Sequence, residues 1–260
     1  MEDKEDMADS FDKNLIFIAG PAHSGTSLLE VLLRHHSSIG SVGLDAMDEN
    51  CLEMFQIDDI IGCINSKECP RASSLYDTNS CIRTSIGAPG KLFLYKNPDN
   101  IFYLDKLKES IVKSKVIIIY RNPKDTALSL LARGRHNTFR ECLEYWAAAY
   151  AYAEKFANEV FCLAIKYEDL AENAGGQLTK IFNFLGIEDQ GKAILRGYEE
   201  RSKQHSLGHE YPEELCEKEE HILRRKQQLA QKIYIRKRRD LTPGELIIYN
   251  EVISKTSYKD

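Results

Sequence analysis

The sequence has no long hydrophobic run. Its longest apolar stretches, such as KVIIIY (115–120), are strand-sized and fall far short of the roughly 20 residues a bilayer span needs. The N-terminus, MEDKEDMADSFDKN, is acidic and lacks the basic start and apolar stretch of a secretory leader. A cytoplasmic chain with no membrane association is expected. A basic excess is also missing: 35 Lys and Arg stand against 40 Asp and Glu, a formal net charge of -5, which argues against nucleic acid as a partner. The seven cysteines are odd in number, and none forms a C-x-x-C pair. Cys51, Cys63, Cys69 and Cys81 cluster with gaps that fit no zinc pattern, so free thiols and no metal are expected. No internal repeat is visible. What is present is ordinary for a globular chain: 43% hydrophobic and 29% charged residues over 260 positions. That length fits one large α/β domain, with residues 1–13 as a flexible, solvated tail and 14–260 as the domain.

Apolar runs and helical spacings alternate along the chain. LIFIAG (15–20) reads as a buried parallel strand, and SLLEVLLRHH (27–36) places Leu28, Leu29, Leu32 and Leu33 at helical spacing. KLFLYK (91–96), KVIIIY (115–120) and VFCLAIKY (160–167) are further strand candidates. Helices are expected over 100–112, from about Asp125 to Asn158, and over 175–186. Residues 40–90 read as irregular. The C-terminal part turns from acidic (Glu213 to Glu220) to basic (Arg224 to Arg239) and reads as mostly helical. Alternating strands and helices imply a parallel sheet flanked by helices, in which ligands sit beyond the carboxyl ends of the strands.

The polar residues after each strand therefore carry the functional argument. After the first strand comes GPAHSGTS (20–27). Gly20 and Gly25 let the backbone approach an anion, a helix N-terminus follows, and Ser24, Thr26 and Ser27 add hydroxyl donors. The lysine that a P-loop kinase carries directly after the second glycine is absent; Thr26 stands there. After the third strand candidate comes YRNPKDTALS. Arg121 ends that strand, and Ser129 lies eight residues on, so a guanidinium fork and a hydroxyl can close on one phosphate.

Taken in order, these segments resemble sulfotransferases that use 3′-phosphoadenosine-5′-phosphosulfate. GPAHSGTS resembles their 5′-phosphosulfate loop and RNPKDTALS their 3′-phosphate site. KYEDL followed by IFNFLGI resembles the downstream strand and helix. LFLYKNPDNIFYLDKL is similar to the Lys-Ser/Thr-Pro segment of the Golgi-type and bacterial branches. The resemblance covers roughly 14–187, with a weaker echo in IRKRRDLTPGEL. It implies a three-layer, P-loop-like α/β fold with a central parallel sheet. It further implies transfer of a sulfuryl group to a hydroxyl or amine of a small-molecule acceptor, with release of adenosine 3′,5′-bisphosphate and no metal. His23, Ser24, Gly25, Thr26 and Ser27 would line the phosphosulfate. Arg121 and Ser129 would hold the 3′-phosphate, Tyr167 would pack on the adenine, and Arg236 or Lys237 would reach the 3′-phosphate from the C-terminal segment. Trp146 corresponds to a tryptophan common in its helix, with core packing as its expected role.

Two departures from the family pattern bear on chemistry. His23 stands where the loop usually carries Lys or Arg, which leaves Lys96 as the best fixed cation for the reaction. Pro98 stands where the cytosolic branch has its catalytic histidine, so the base must come from elsewhere. The acidic segment after the first helix offers Asp45 first, then Asp48 or Glu49, with His136 as a distant alternative. Residues 45–59 hold Asp45, Asp48, Glu49, Glu53, Asp58 and Asp59 and no basic residue, so a wall built from them would favour a cationic acceptor. The competing readings are a relative that binds the nucleotide without turnover and a P-loop kinase, against which Thr26 argues.

Overall fold

The computed structural model describes residues 15–41, 92–110, 114–206 and 239–259. Its centre is a five-stranded sheet: β1 (Leu15–Ala19), β2 (Ile39–Ser41), β3 (Leu92–Lys96), β4 (Lys115–Tyr120) and β5 (Cys162–Lys166), in the order β2-β3-β1-β4-β5. Every pairing is parallel. β1 is central, and all five of its residues are buried, which is why its sequence is a continuous apolar run rather than an alternating one.

Helices cover both faces. Alternate residues of β1 divide between them: Ile16 and Ile18 pack with α1 (Thr26–Arg34), α6 (Ala174–Leu185) and α7 (Gly191–Ser206) through Leu29, Leu32, Leu33, Leu178, Phe182 and Ile194. Leu15 and Phe17 face the other way. They pack with α2 (Leu104–Ser110) and α4 (Phe139–Phe156) through Leu104, Leu107, Ala149, Ala153 and Phe156. A third cluster joins α3 (Pro123–Ala132), α4 and α8 (Pro243–Ile253) around Leu130, Leu143 and Val252. Each fully buried aliphatic or aromatic side chain contributes about 1.5–3 kcal/mol, so the two faces hold the sheet's strand ends in fixed relation. The expected three-layer parallel α/β fold is the one observed.

Several boundaries differ from the sequence reading. The helix expected from Asp125 to Asn158 is two helices. α3 stops at Ala132, Gly134 takes a left-handed φ of 64°, and Thr138 and Glu141 form a capping box that starts α4. The helix expected at 100–112 begins as a 3-10 turn, Pro98–Tyr103, capped by the Asn97 side chain, before α2. The strand expected at 160–167 begins at Cys162, and Tyr167 opens a short helix, α5 (Tyr167–Glu172). β2 lies at the edge of a stretch read as irregular. Cys142 and Cys162 are free, and burial pushes their thiols up to about 11 and about 12, consistent with inert core residues.

His36 fixes the turn from α1 into β2. Its Nδ1 lies 3.0 Å from the Ser38 N–H and its Nε2 lies 2.8 Å from the Glu188 carbonyl, with the ring against Phe182. The Ser38 N–H can only donate, so Nδ1 accepts and the ring proton sits on Nε2. Replacing His36 with Leu leaves both backbone groups without this partner at a site only 2% exposed. A loss of about 1–3 kcal/mol is expected, read as a lower urea midpoint at unchanged slope.

Candidate functional site

The carboxyl ends of β3, β1, β4 and β5 lie side by side, and the chain leaves β1 through a glycine loop and the other three at polar residues. The order along this edge is Lys96, the Gly20–Gly25 loop, Arg121 and Tyr167. The Ile18↔Lys96 and Ala19↔Ile118 registers put Lys96 and the start of the Arg121 turn on either side of the loop.

The loop's path depends on its two glycines. Gly20 has φ 143°, and a Cβ there would lie 1.9 Å from the Ile119 carbonyl oxygen. Gly25 has φ 98°, and a Cβ there would lie 2.4 Å from the Tyr167 ring. Gly25 is also the N-cap of α1 and offers no side chain to cap it. The first intrahelical bond runs from Leu29 N–H to Gly25 O at 3.0 Å, which leaves the N–H groups of Thr26, Ser27 and Leu28 without intrahelical partners. Those donors and the helix dipole make an anion cradle. Ser24 Oγ is fully buried in the loop and makes no hydrogen bond among the described residues, an orphan donor of the kind an anionic ligand satisfies. The Thr26 side chain is buried, while Ser27 is exposed.

Neighbouring segments hold this loop from both sides. Gly20 N–H donates to the Pro98 carbonyl at 3.2 Å. Ala22 N–H donates to Tyr145 Oη at 3.1 Å, and that hydroxyl donates to Asp99 Oδ1 at 2.9 Å. Burial pushes the Tyr145 phenol well above its ordinary range, so it stays protonated and serves both bonds. His23 adopts a left-handed φ of 69° and brings its Nδ1 within 3.1 Å of Ser129 Oγ on α3. The two anion sites expected from sequence are thus in direct contact.

Arg121 is 6% exposed. Its Nη2 donates to Asp125 Oδ2 at 3.0 Å, and its guanidinium carbon lies 4.8 Å from the centre of the Tyr167 ring. The turn that carries it is held at both faces of one peptide. Trp146 Nε1 donates to the Arg121 carbonyl at 2.9 Å, and Asn122 N–H donates to Glu168 Oε1 at 3.0 Å. Trp146 is therefore a core residue, fully buried, with a polar task at the site's edge. Replacing it with Phe keeps most of the bulk and removes the donor. An expected cost of about 1–3 kcal/mol follows, and an unchanged unfolding midpoint would show that the Arg121 carbonyl finds another partner.

Tyr167 is wedged between Gly25 and the Arg121 guanidinium, so the residue expected to pack on adenine touches both the glycine loop and the arginine turn. Lys96 ends β3 with its Nζ 3.7 Å from Glu30 Oε2 on α1. Sequence reasoning passed over Glu30, Tyr145 and Glu168. Only the sheet order brings them to the site: Glu30 and Tyr145 read locally as ordinary helix residues, and Glu168 as part of a short polar link after a strand. His136, the alternative base, packs its ring against Tyr145 at 5.2 Å. Asp45, Asp48, Glu49, Arg236 and Lys237 lie outside the described residues.

A sequence model described as "Sulfotransferase family" matches residues 15–191, more than half of the chain and the whole of this strand edge. The chain belongs to the sulfotransferase family. No curated protein matches its sequence. Among solved structures it is similar to mouse sulfotransferase SULT7A1 complexed with PAP, at TM-score 0.55 and 19% identity, covering 97% of this chain and 91% of that one. It is also similar to the sulfotransferase domain from the curacin biosynthetic pathway, at TM-score 0.52 and 18% identity, covering 91% and 96%. The sulfotransferase domain of the Synechococcus PCC 7002 olefin synthase is comparable, at TM-score 0.52 and 19% identity, covering 91% and 93%. Identities this low establish a common fold. Among the described residues, no helix is long and apolar enough to cross a membrane, and no group of three or more His, Cys, Asp or Glu side chains is arranged to hold a metal ion.

Proposed function

We propose that this sulfotransferase moves a sulfuryl group from 3′-phosphoadenosine-5′-phosphosulfate to a hydroxyl or amine of a small-molecule acceptor, releasing adenosine 3′,5′-bisphosphate. The observation that carries the reading is the joining of two anion sites by the His23–Ser129 contact. An uncapped helix N-terminus with an orphan Ser24 hydroxyl lies on one side, and a buried arginine on the other. A donor with phosphates at its 5′ and 3′ ends needs both. The PAP bound to the mouse fold neighbour supports the same donor.

In this reading the acceptor attacks sulfur in line with the departing phosphate oxygen. A bond forms from the acceptor oxygen or nitrogen to sulfur, and the sulfur–oxygen bond to the phosphate breaks. Negative charge grows on that leaving oxygen, and the protein's task is to cover it. The α1 N–H groups, Thr26, His23 and Lys96 take that role. A carboxylate removes the acceptor's proton, a contribution of about 10²–10⁴-fold, and Asp45 is the first candidate. The acidic stretch 45–59 adds a preference for a cationic acceptor.

The test offers the sulfate donor together with a panel of phenols, sugars, amines and guanidinium compounds, read by mass. A sulfated product and adenosine 3′,5′-bisphosphate are expected, with the basic compounds fastest. No calorimetric heat with adenosine 3′,5′-bisphosphate would end the reading. Heat without transfer would make the chain a nucleotide-binding relative without turnover. Faster transfer to neutral sugars or phenols would remove the cationic preference.

A further inference from the structure

Glu30 poses a problem of charge. It lies four residues beyond Thr26 on α1, about 6 Å of helix rise from the first donor of the cradle. Its side chain is only 10% exposed. An acid so placed repels the ligand the cradle is built to hold, and a buried carboxylate is costly unless matched by a cation. The match is Lys96, whose side chain is 22% exposed and whose Nζ stands 3.7 Å from Glu30 Oε2. Lys96 shares a strand face with Leu94, which packs in the cluster of α1, so the lysine stem runs toward α1 along that face.

A 3.7 Å separation is an ion-pair contact longer than a charge-assisted hydrogen bond, at about 2.7–2.9 Å. The ammonium is attracted and aimed without being locked. A lysine has three rotating donors on a four-carbon stem and, without such a partner, samples many directions. We propose that Glu30 is the positioning residue of this active site: its carboxylate holds the Lys96 ammonium at the loop end of β3, where the leaving oxygen gains charge. This rests on the sulfuryl-transfer reading above. It assigns to Glu30 no contact with substrate.

The test is a double-mutant cycle of Glu30→Gln and Lys96→Ala in the full-length protein, read by transfer kinetics, by calorimetry with adenosine 3′,5′-bisphosphate and by thermal unfolding. Glu30→Gln preserves shape and removes charge. It is expected to lower kcat about tenfold while nucleotide affinity changes less than twofold. In a Lys96→Ala background the same change should have no further effect on kcat. A merely structural Glu30 would lower kcat in both backgrounds alike, and that result, or an undiminished kcat for Glu30→Gln, would overturn the proposal. The unfolding arm does not depend on activity. Lys96→Ala strands the Glu30 carboxylate, so adding Glu30→Gln should raise its midpoint; additive losses would show that the two side chains do not act as a pair. Failure of the wild-type protein to bind the nucleotide or transfer sulfate would defeat the functional reading instead. The pair itself would then stand or fall on the unfolding cycle alone.

Discussion

Replacing Arg121 with alanine is expected to weaken binding of adenosine 3′,5′-bisphosphate by about 1.5–3 kcal/mol, roughly 10–150-fold, and to destabilise the protein at the same time. The first effect comes from losing a planar fork at the carboxyl end of β4. The second comes from Asp125. That carboxylate belongs to a residue 9% exposed and pairs with Arg121 at 3.0 Å, so removing the guanidinium takes the ion partner from a buried charge. Breaking such a pair from one side costs about 3–5 kcal/mol. The two effects separate in Arg121→Ala combined with Asp125→Ala. The double variant should regain much of the lost stability in a urea titration, because the buried carboxylate that lost its ion partner is gone, and should still bind the nucleotide weakly. Unchanged affinity in a folded single variant would remove Arg121 from the phosphate site. Recovery of affinity in the double variant would show that the binding loss was only a consequence of unfolding.

Arg121 also shows what a sequence can disclose about such a site. Its position at a strand end follows from KVIIIY, an apolar run that only a doubly covered strand explains, and from the Asn-Pro that stops it. The glycine loop is legible for a similar reason: Gly20 and Gly25 stand where the backbone requires positive φ, and the helical leucine spacing begins directly after. What braces these parts is not legible. Trp146, Glu168 and Tyr145 reach the site across 25, 46 and 123 positions of sequence. Their partners are backbone groups, which leave no trace in side-chain pattern. The break between α3 and α4 was visible in Gly134 and in Thr138 with Glu141, but the continuous apolar spacing on either side outweighed it. Tyr167 was read as the end of a strand because YEDL has too few residues to show helical periodicity. Glu30 was hidden most completely. A glutamate in an amphipathic helix normally faces water, and only the placement of β3 beside β1 sets Lys96 against it.

Lys96 carries the second large expectation. Lys96→Ala should lower kcat by about 10²–10³-fold, about 3–4 kcal/mol of transition-state stabilisation, with little change in the dissociation constant of adenosine 3′,5′-bisphosphate. The size follows from what else can cover the leaving oxygen. Thr26 stands where a P-loop kinase has lysine, and His23 has its Nδ1 already turned to Ser129. The backbone donors of α1 share in covering the leaving oxygen, but together they amount to only about half an elementary charge and also hold the ground-state anion. An ammonium at the end of β3 brings a full charge, so its attraction grows more steeply as the leaving oxygen acquires charge. Its loss should therefore appear in turnover rather than in affinity. The decisive comparison is single-turnover transfer against equilibrium nucleotide binding in the same variant. Equal losses in both would make Lys96 a binding residue. A rate that is unaffected would shift the burden of charge to His23, and replacing His23 with Gln would then have to produce the loss that Lys96→Ala did not.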